Sequence, residues 1–234
     1  MILAVPSKLI FDDGTKDRGG KKKVALTNGS SLRAWTGSWK KNESAWRSTW
    51  SKGMGHTPVI GYDIPPLRDL IVEMTFRYGP IMEPSQHQCF RITLDNRDLY
   101  TGHVLSAWAN PNNDFIEQGF LLQHISKQPD KTIISDLLLD HQPIAIEPEV
   151  WYTATLEVVG DETLFRMGDH LAYARSESLK VEKIKVALTL GTTWHEVKRV
   201  RVWEARPNPA WKKNKQTQLK HRTPFTPGVH DYQR

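Results

Sequence analysis

The side chains with the most chemical potential in this chain are Arg77, Arg91, Asp95, His103, Trp108 and His124. Guanidinium, carboxylate and imidazole groups grip hydroxyls through charge-assisted hydrogen bonds, and an Asp/His combination also serves acid/base chemistry. Arg77 is the penultimate residue of the run LIVEMTFRY, and Arg91 and Asp95 lie in CFRITLD, where polar and apolar residues alternate. In an extended strand these polar residues would share one face. His103 opens HVLSAWA and His124 lies in EQGFLLQHIS, so both belong to further strands that could meet across a sheet, with His56 following the Gly-rich SKGMG. Two readings stand side by side. Each histidine could be a partly buried ring bonded to backbone, or Arg91, Asp95, His103 and His124 could form one polar cluster that grips a ligand or supplies acid/base groups.

Other chemistries find less support. The nine histidines make no H-E-x-x-H or H-x-H spacing of the kind that holds zinc. Cys89 is the single cysteine, carries no nucleophile signature, and no G-x-S-x-G is present. No motif assigns a catalytic residue. Four tryptophans at 35, 39, 46 and 50 lie among small and polar residues. They read as packing anchors or as a sugar-stacking platform, because an indole combines a large flat apolar face with a polar N–H.

The elements that must position these groups are strands. Leu70 to Tyr78 alternates Leu, Val, Met, Phe and Tyr against Glu, Thr and Arg, and Cys89 to Asp95 does the same. Adjacent in sequence, the two would expose Glu, Thr, Arg, Arg, Thr and Asp on one polar surface. The preceding double proline, IPPLRD, predicts a turn that continues no ladder. From Trp151 to Ala205 the two-residue period is nearly continuous. Gly160-Asp161 and Gly168-Asp169 are hairpin turns within it, and Val197 to Ala205 is its last strand. Behind Asp130, the spacing of Ile133, Ile134, Leu137 and Leu138 predicts one short helix over 131–140.

A chain of 234 residues can bury a full core in one domain, and nothing repeats at a long fixed period. The net charge of +6 would suggest nucleic acid, but its location argues otherwise. From Arg206 onward there are seven Lys/Arg and one acid, which leaves 25 basic and 25 acidic residues in 1–205. The body is neutral, so a nucleic-acid groove on it is not supported, and polyanion contact would be a property of the tail. The division is thus a body over 1–205 and a basic, Pro-containing extension over 206–234, irregular or wrapping, with Trp211 and Phe225 as its candidate anchors. No membrane-spanning run exists, and the start lacks the basic region of an intact signal peptide.

The tryptophan-rich first part, the alternating strands and the ending WYTATLEVVGDE, LFRMGDH, KIKVAL and VKRVRVWEA carry a resemblance. Together they resemble the concanavalin A-like lectin/glucanase superfamily, and within it the laminin-G-like and 3-keto-disaccharide-hydrolase-type domains of planctomycetes and related bacteria. Trp151, Gly160-Asp161, Gly168-Asp169 and Val200–Trp203 match that pattern, and Leu9 to Asp13 looks like the first strand that pairs beside the last. The resemblance implies an all-β fold, a jelly-roll sandwich of two antiparallel sheets, with carbohydrate held on the concave sheet. It also implies a secreted or periplasmic setting. The superfamily's glucanases place carboxylates at alternating positions of one strand, since retaining hydrolysis needs two of them about 5 Å apart. That run is absent here, and no hydrolase motif can be carried over, which leaves a glycan-binding domain, a glycoside-acting hydrolase and an interaction module with a basic tail as the readings. No cofactor is expected. Calcium is bound in loops by several relatives, and Asn110–Asp114 offers oxygen ligands without a D-x-D-x-D-G loop.

Overall fold

Two-residue alternation builds nearly the whole molecule. A computed structural model describes residues 1–14, 26–27, 39–41, 45–49, 57–80, 90–96, 102–110, 119–127, 133–191, 194–226 and 228–233. In chain order the strands are β1 (Ala4–Gly14), β2 (Leu26–Thr27), β3 (Trp39–Lys41), β4 (Trp46–Thr49), β5 (Val59–Leu67), β6 (Leu70–Tyr78), β7 (Phe90–Asp95) and β8 (His103–Asn110). They continue with β9 (Gly119–Lys127), β10 (Ile133–Gln142), β11 (Tyr152–Val159), β12 (Glu162–Met167), β13 (His170–Arg175), β14 (Lys183–Leu190), β15 (Trp194–Pro207) and β16 (Gly228–Gln233). A 3₁₀ turn covers Glu177–Lys180, and the α-helix α1 covers Trp211–Gln218. None of the described helices is long and apolar enough to cross a membrane.

These strands form two antiparallel sheets, an all-β sandwich. The first sheet runs β13-β12-β11-β6-β15-β4-β3, with β1 also paired to β15, and the second runs β16-β10-β9-β8-β7-β14-β5-β2. Leu70, Val72, Met74, Phe76 and Tyr78 face inward from the first sheet, and Phe90, Ile92, Leu94, Val186 and Leu188 from the second. Face-to-face ring pairs cross the interface: Phe76 on Phe90 at 3.8 Å and Phe120 on Phe165 at 4.1 Å between centroids. The hairpins over Gly160-Asp161 and Gly168-Asp169 form where the sequence predicts them, with positive φ at each glycine. The strand of Leu9–Asp13 lies beside the chain's long penultimate strand, since β1 pairs with β15 from Ala4↔Pro207 to Gly14↔Arg199.

Three local expectations are corrected. The predicted helix over 131–140 is the strand β10, held between β9 and β16. Its apolar doublet imitates a helical period because both faces are buried: Leu137 packs on the main core, while Leu138 packs with Trp108 and Leu121 on the far side. Among the described residues, the one α-helix lies instead at 211–218, in the segment expected to be irregular. That stretch has no proline or glycine, Asn208 Oδ1 accepts from Ala210 N at 3.0 Å to begin it, and Trp211 buries against Leu3 and Leu164. Pro65 and Pro66 do not end a ladder either. The strand β5 carries them, and its pairing to β14 jumps from Lys185↔Asp63 to Lys183↔Leu67, an irregularity at which the missing proline N–H groups are not needed.

His195, on β15, is fully buried near Trp39. Burial pushes its imidazole down to about 3, and the Arg47 guanidinium works in the same direction against a backbone bond at Trp194. The unfolded chain therefore binds this proton more readily, so stability is complete above about pH 6.5 and falls by about 1.4 kcal/mol per pH unit below it. Urea unfolding at pH 7.0 and 4.5 is expected to show a loss of about 2–3 kcal/mol from this residue. An equal acid loss in His195→Gln would refute the assignment.

Candidate functional site

The pleat decides which candidate side chains face the same way. On β7, Phe90, Ile92 and Leu94 enter the core, so Arg91, Thr93 and Asp95 point away from it. The ladders place Arg91 opposite Trp108 and Thr189, Thr93 opposite Ser106 and Ala187, and Asp95 opposite Lys185. Ser106 in turn lies opposite Gln123, and Trp108 opposite Leu121. The outward face of the second sheet thus carries a row Thr93, Ser106, Gln123 across three adjacent strands.

Charged groups flank the row on both sides along the strands. On one side the Arg91 guanidinium lies 4.6 Å over the Trp108 ring and reaches Thr189 Oγ1 at 3.4 Å. On the other, β8 holds one more residue than β9 between His103 and Ser106, and this bulge turns His103 to the outward face. There its Nδ1 meets Asp95 Oδ1 at 2.6 Å. Burial alone would raise the Asp95 carboxyl, but the His103 ring, Lys185 and Arg91 outweigh it and hold the group below its ordinary value. An Nδ1–H donated to Asp95 leaves Nε2 as the nitrogen that can exchange a proton with a ligand.

The row itself is buried and incompletely bonded. Thr93, Ser106 and Gln123 are at most 1% exposed. Among the described residues, Thr93 Oγ1, Ser106 Oγ, Gln123 Oε1 and Trp108 Nε1 have no hydrogen-bond partner. Each such group costs about 1–3 kcal/mol when buried unsatisfied. Four such groups share the outward face of the second sheet.

The structure brings Arg91, Asp95, His103 and Trp108 to this face and separates the other two candidates from it. Arg77 lies on the first sheet, because β6 and β7, adjacent in sequence, belong to opposite sheets; its Nε donates to Glu196 Oε2 at 2.6 Å. The single polar surface expected from those two strands therefore does not exist. His124 shares the pleat of Phe120 and Leu122, on the core side, and its Nδ1 meets the Val104 carbonyl of the bulge at 3.0 Å. Trp108 is 5% exposed and packs with Leu121, Leu138 and Phe225, so its ring is a packing element, and its N–H is buried without a partner among the described residues. Ser106, Gln123 and Lys185 were not among the sequence candidates. The parity of HVLSAWA and GFLLQHIS would have found the first two, since each sits two residues from an outward apolar side chain.

Trp39 and Trp46 pack partly against the main core, and Trp39 Nε1 donates to Val59 O at 3.0 Å, as packing anchors do. Trp35, Trp50, His56, Cys89 and 111–118, which includes most of the calcium candidate Asn110–Asp114, lie outside the described residues. Among the described residues, no group of three His, Cys, Asp or Glu is placed to hold a metal.

No family model matches the sequence, and no curated protein matches it. Among solved structures, the chain is similar to a protein of unknown function with a galectin-like fold from Bacillus subtilis, at 9% identity and TM-score 0.47, over 88% of this chain and 100% of that one. It is similar to the carbohydrate binding module CBM66 from Bacillus subtilis at 10% identity and TM-score 0.44, over 72% and 92%. A tetrameric galectin from the ball sponge Cinachyrella matches at 13% identity and TM-score 0.44, over 62% and 99%.

Proposed function

We propose that this chain is a carbohydrate-binding β-sandwich of the concanavalin A-like type, with its ligand held against the outward face of the second sheet. The observation that carries the reading is the row of buried, unpartnered polar groups at Thr93, Ser106 and Gln123 between Arg91 and the Asp95–His103 pair. Sugar hydroxyls both donate and accept, so they suit a face that mixes hydroxyl, amide oxygen, guanidinium and carboxylate groups. Strand spacing makes the three-strand row about 10 Å wide, which lets it address neighbouring sugar rings. The Asp95–His103 pair favours a second reading, a glycoside-acting hydrolase, because such a pair is also an acid/base device.

The test uses opposite signs for stability and binding. Thr93→Val with Ser106→Ala removes two unsatisfied oxygens at nearly constant shape. It is expected to raise the melting temperature by roughly 4–8 °C, at about 1 kcal/mol per group. The same variant is expected to weaken retardation in affinity gels of neutral polysaccharides by about tenfold or more, the equivalent of one lost bond of about 1.4 kcal/mol. Unchanged retardation on every polysaccharide that the parent chain binds, or no retardation of the parent chain across the panel, would overturn the reading. Product release from native and 3-keto glycosides, abolished by His103→Ala, would favour the hydrolase.

A further inference from the structure

The opposite face of the molecule, outward from the first sheet, carries a second charged array that the sugar site does not use. One ladder row across β4, β15 and β6 sets Arg47, Glu196 and Arg77 side by side. Glu196 is buried, with a side chain 3% exposed, and each of its oxygens accepts from a different guanidinium: Oε1 from Arg47 Nη1 at 3.2 Å and Oε2 from Arg77 Nε at 2.6 Å. Both guanidiniums are stacked as well, Arg47 at 4.4 Å over Trp194 and Arg77 at 4.8 Å over Trp151. The exposed Lys198, at the irregularity between Val197 and Arg199, stands 5.6 Å from the same Trp151 ring.

Three cations thus surround two indoles with one carboxylate between them. Arg47 and Arg77 side chains are 43% and 32% exposed, and among the described residues neither makes a further hydrogen bond. A guanidinium has five N–H groups, so most of this donor capacity is unused. Further along the strands the face adds Arg199 paired to Asp12, Arg201 paired to Glu73, and the exposed hydroxyl pair Thr75 and Thr153. Counting these, five cations meet three carboxylates. Among the described residues, the other end of the sheet's face is covered by Leu3 and Trp211 on Leu164, away from the array.

We propose that this face binds an acidic polysaccharide through its carboxylate or sulfate groups, with Arg47, Arg77 and Lys198 as the anchoring cations. Glu196 and the two indoles fix the guanidiniums in place before the ligand arrives, which lowers the ordering cost of each new ion pair. The choice of a glycan over a nucleic acid follows from the rings. Both indoles already carry guanidiniums, so the face offers charge and N–H donors where single-stranded nucleic acid would need stacking platforms. The class of polymer rests on the carbohydrate reading above; the anion site itself does not.

Retardation of the full chain in gels containing polygalacturonate, dextran sulfate or neutral dextran tests the proposal, with binding to a DNA duplex measured in parallel. Binding to at least one acidic polymer, weakened by added salt, is expected. Arg47→Gln/Arg77→Gln/Glu196→Gln avoids stranding the buried carboxylate and is expected to weaken it about tenfold. Lys198→Gln, at an exposed position, is expected to weaken it several-fold without affecting folding. Thr93→Val/Ser106→Ala should leave it unchanged, which separates this site from the neutral-sugar site. The proposal is overturned if both acidic polymers pass unretarded, if Lys198→Gln and the triple variant bind like the parent, or if Lys212→Glu/Lys213→Glu on the helix abolishes binding by itself. Tighter binding to DNA than to either polysaccharide would overturn the glycan assignment.

Discussion

Asp140→Ala is expected to remove about 3–5 kcal/mol of folding stability, because it strips a buried hydrogen-bonded anion from its partners. Asp140 is fully buried on β10. Its Oδ1 accepts from His141 N at 2.8 Å and from Gln142 Nε2 and Arg222 Nη1 at 3.0 Å, while Oδ2 accepts from Tyr173 N at 2.7 Å on the first sheet. One carboxylate therefore joins the two sheets and the segment after α1. Alanine would leave four donors without this acceptor, one of them a guanidinium whose side chain is only 17% exposed. Asp140→Asn keeps the volume but turns an acceptor into a donor facing a donor, so it should recover only part of the loss. Denaturant midpoints for the two variants, with unchanged slopes, provide the measurement, and a loss below about 1 kcal/mol for alanine would refute the role given to this group.

The second large effect belongs to Gly102→Ala, a change of one methyl group beside the bulge that presents His103. Gly102 has φ +88°, a region that costs an L residue about 1–3 kcal/mol. A Cβ there would lie 2.2 Å from the Ile125 carbonyl oxygen and 2.7 Å from its carbon, both main-chain atoms of the neighbouring strand. Backbone cannot swing aside as a side chain can, so β8 and β9 must separate locally. The expected result is a loss of about 2–4 kcal/mol, or roughly 5–15 °C in melting temperature, together with loss of the 2.6 Å contact between His103 and Asp95. Wild-type stability with wild-type sugar retardation would show that the bulge does not set the site.

How much of this was legible in the sequence depends on whether the two faces of a strand differ. In β6, β7 and β11 one face is apolar and the other polar, and the alternation reads directly. In β10 both faces are covered, Leu137 toward the core and Leu138 toward Trp108, and the resulting doublet matches a helix as well as a strand. Sheet membership was not legible at all. Nothing in LIVEMTFRY or CFRITLD states that the two strands stand on opposite sides of the sandwich, yet that fact removes Arg77 from the site and gives it a different neighbourhood. The Asp95–His103 pair was legible by residue type and location. Thr93, Ser106 and Gln123 were harder to notice because neutral polar side chains look like ordinary surface until burial shows that they are not.

The long strand β15 also sets the order of events during synthesis. It pairs with β1, β4 and β6, from Ala4↔Pro207 onward, so the first sheet has no central strand until residues 194–207 have been made. Contacts so distant in sequence make for slow folding, on a scale of about milliseconds to seconds. Until then the edges of β6 and β1 are open to other chains. The local hairpins of β11, β12 and β13 can form early but have only β6 to pair with. A nascent chain of this design keeps those edges unpaired until β15 has emerged, and its exposure to aggregation is concentrated in that interval.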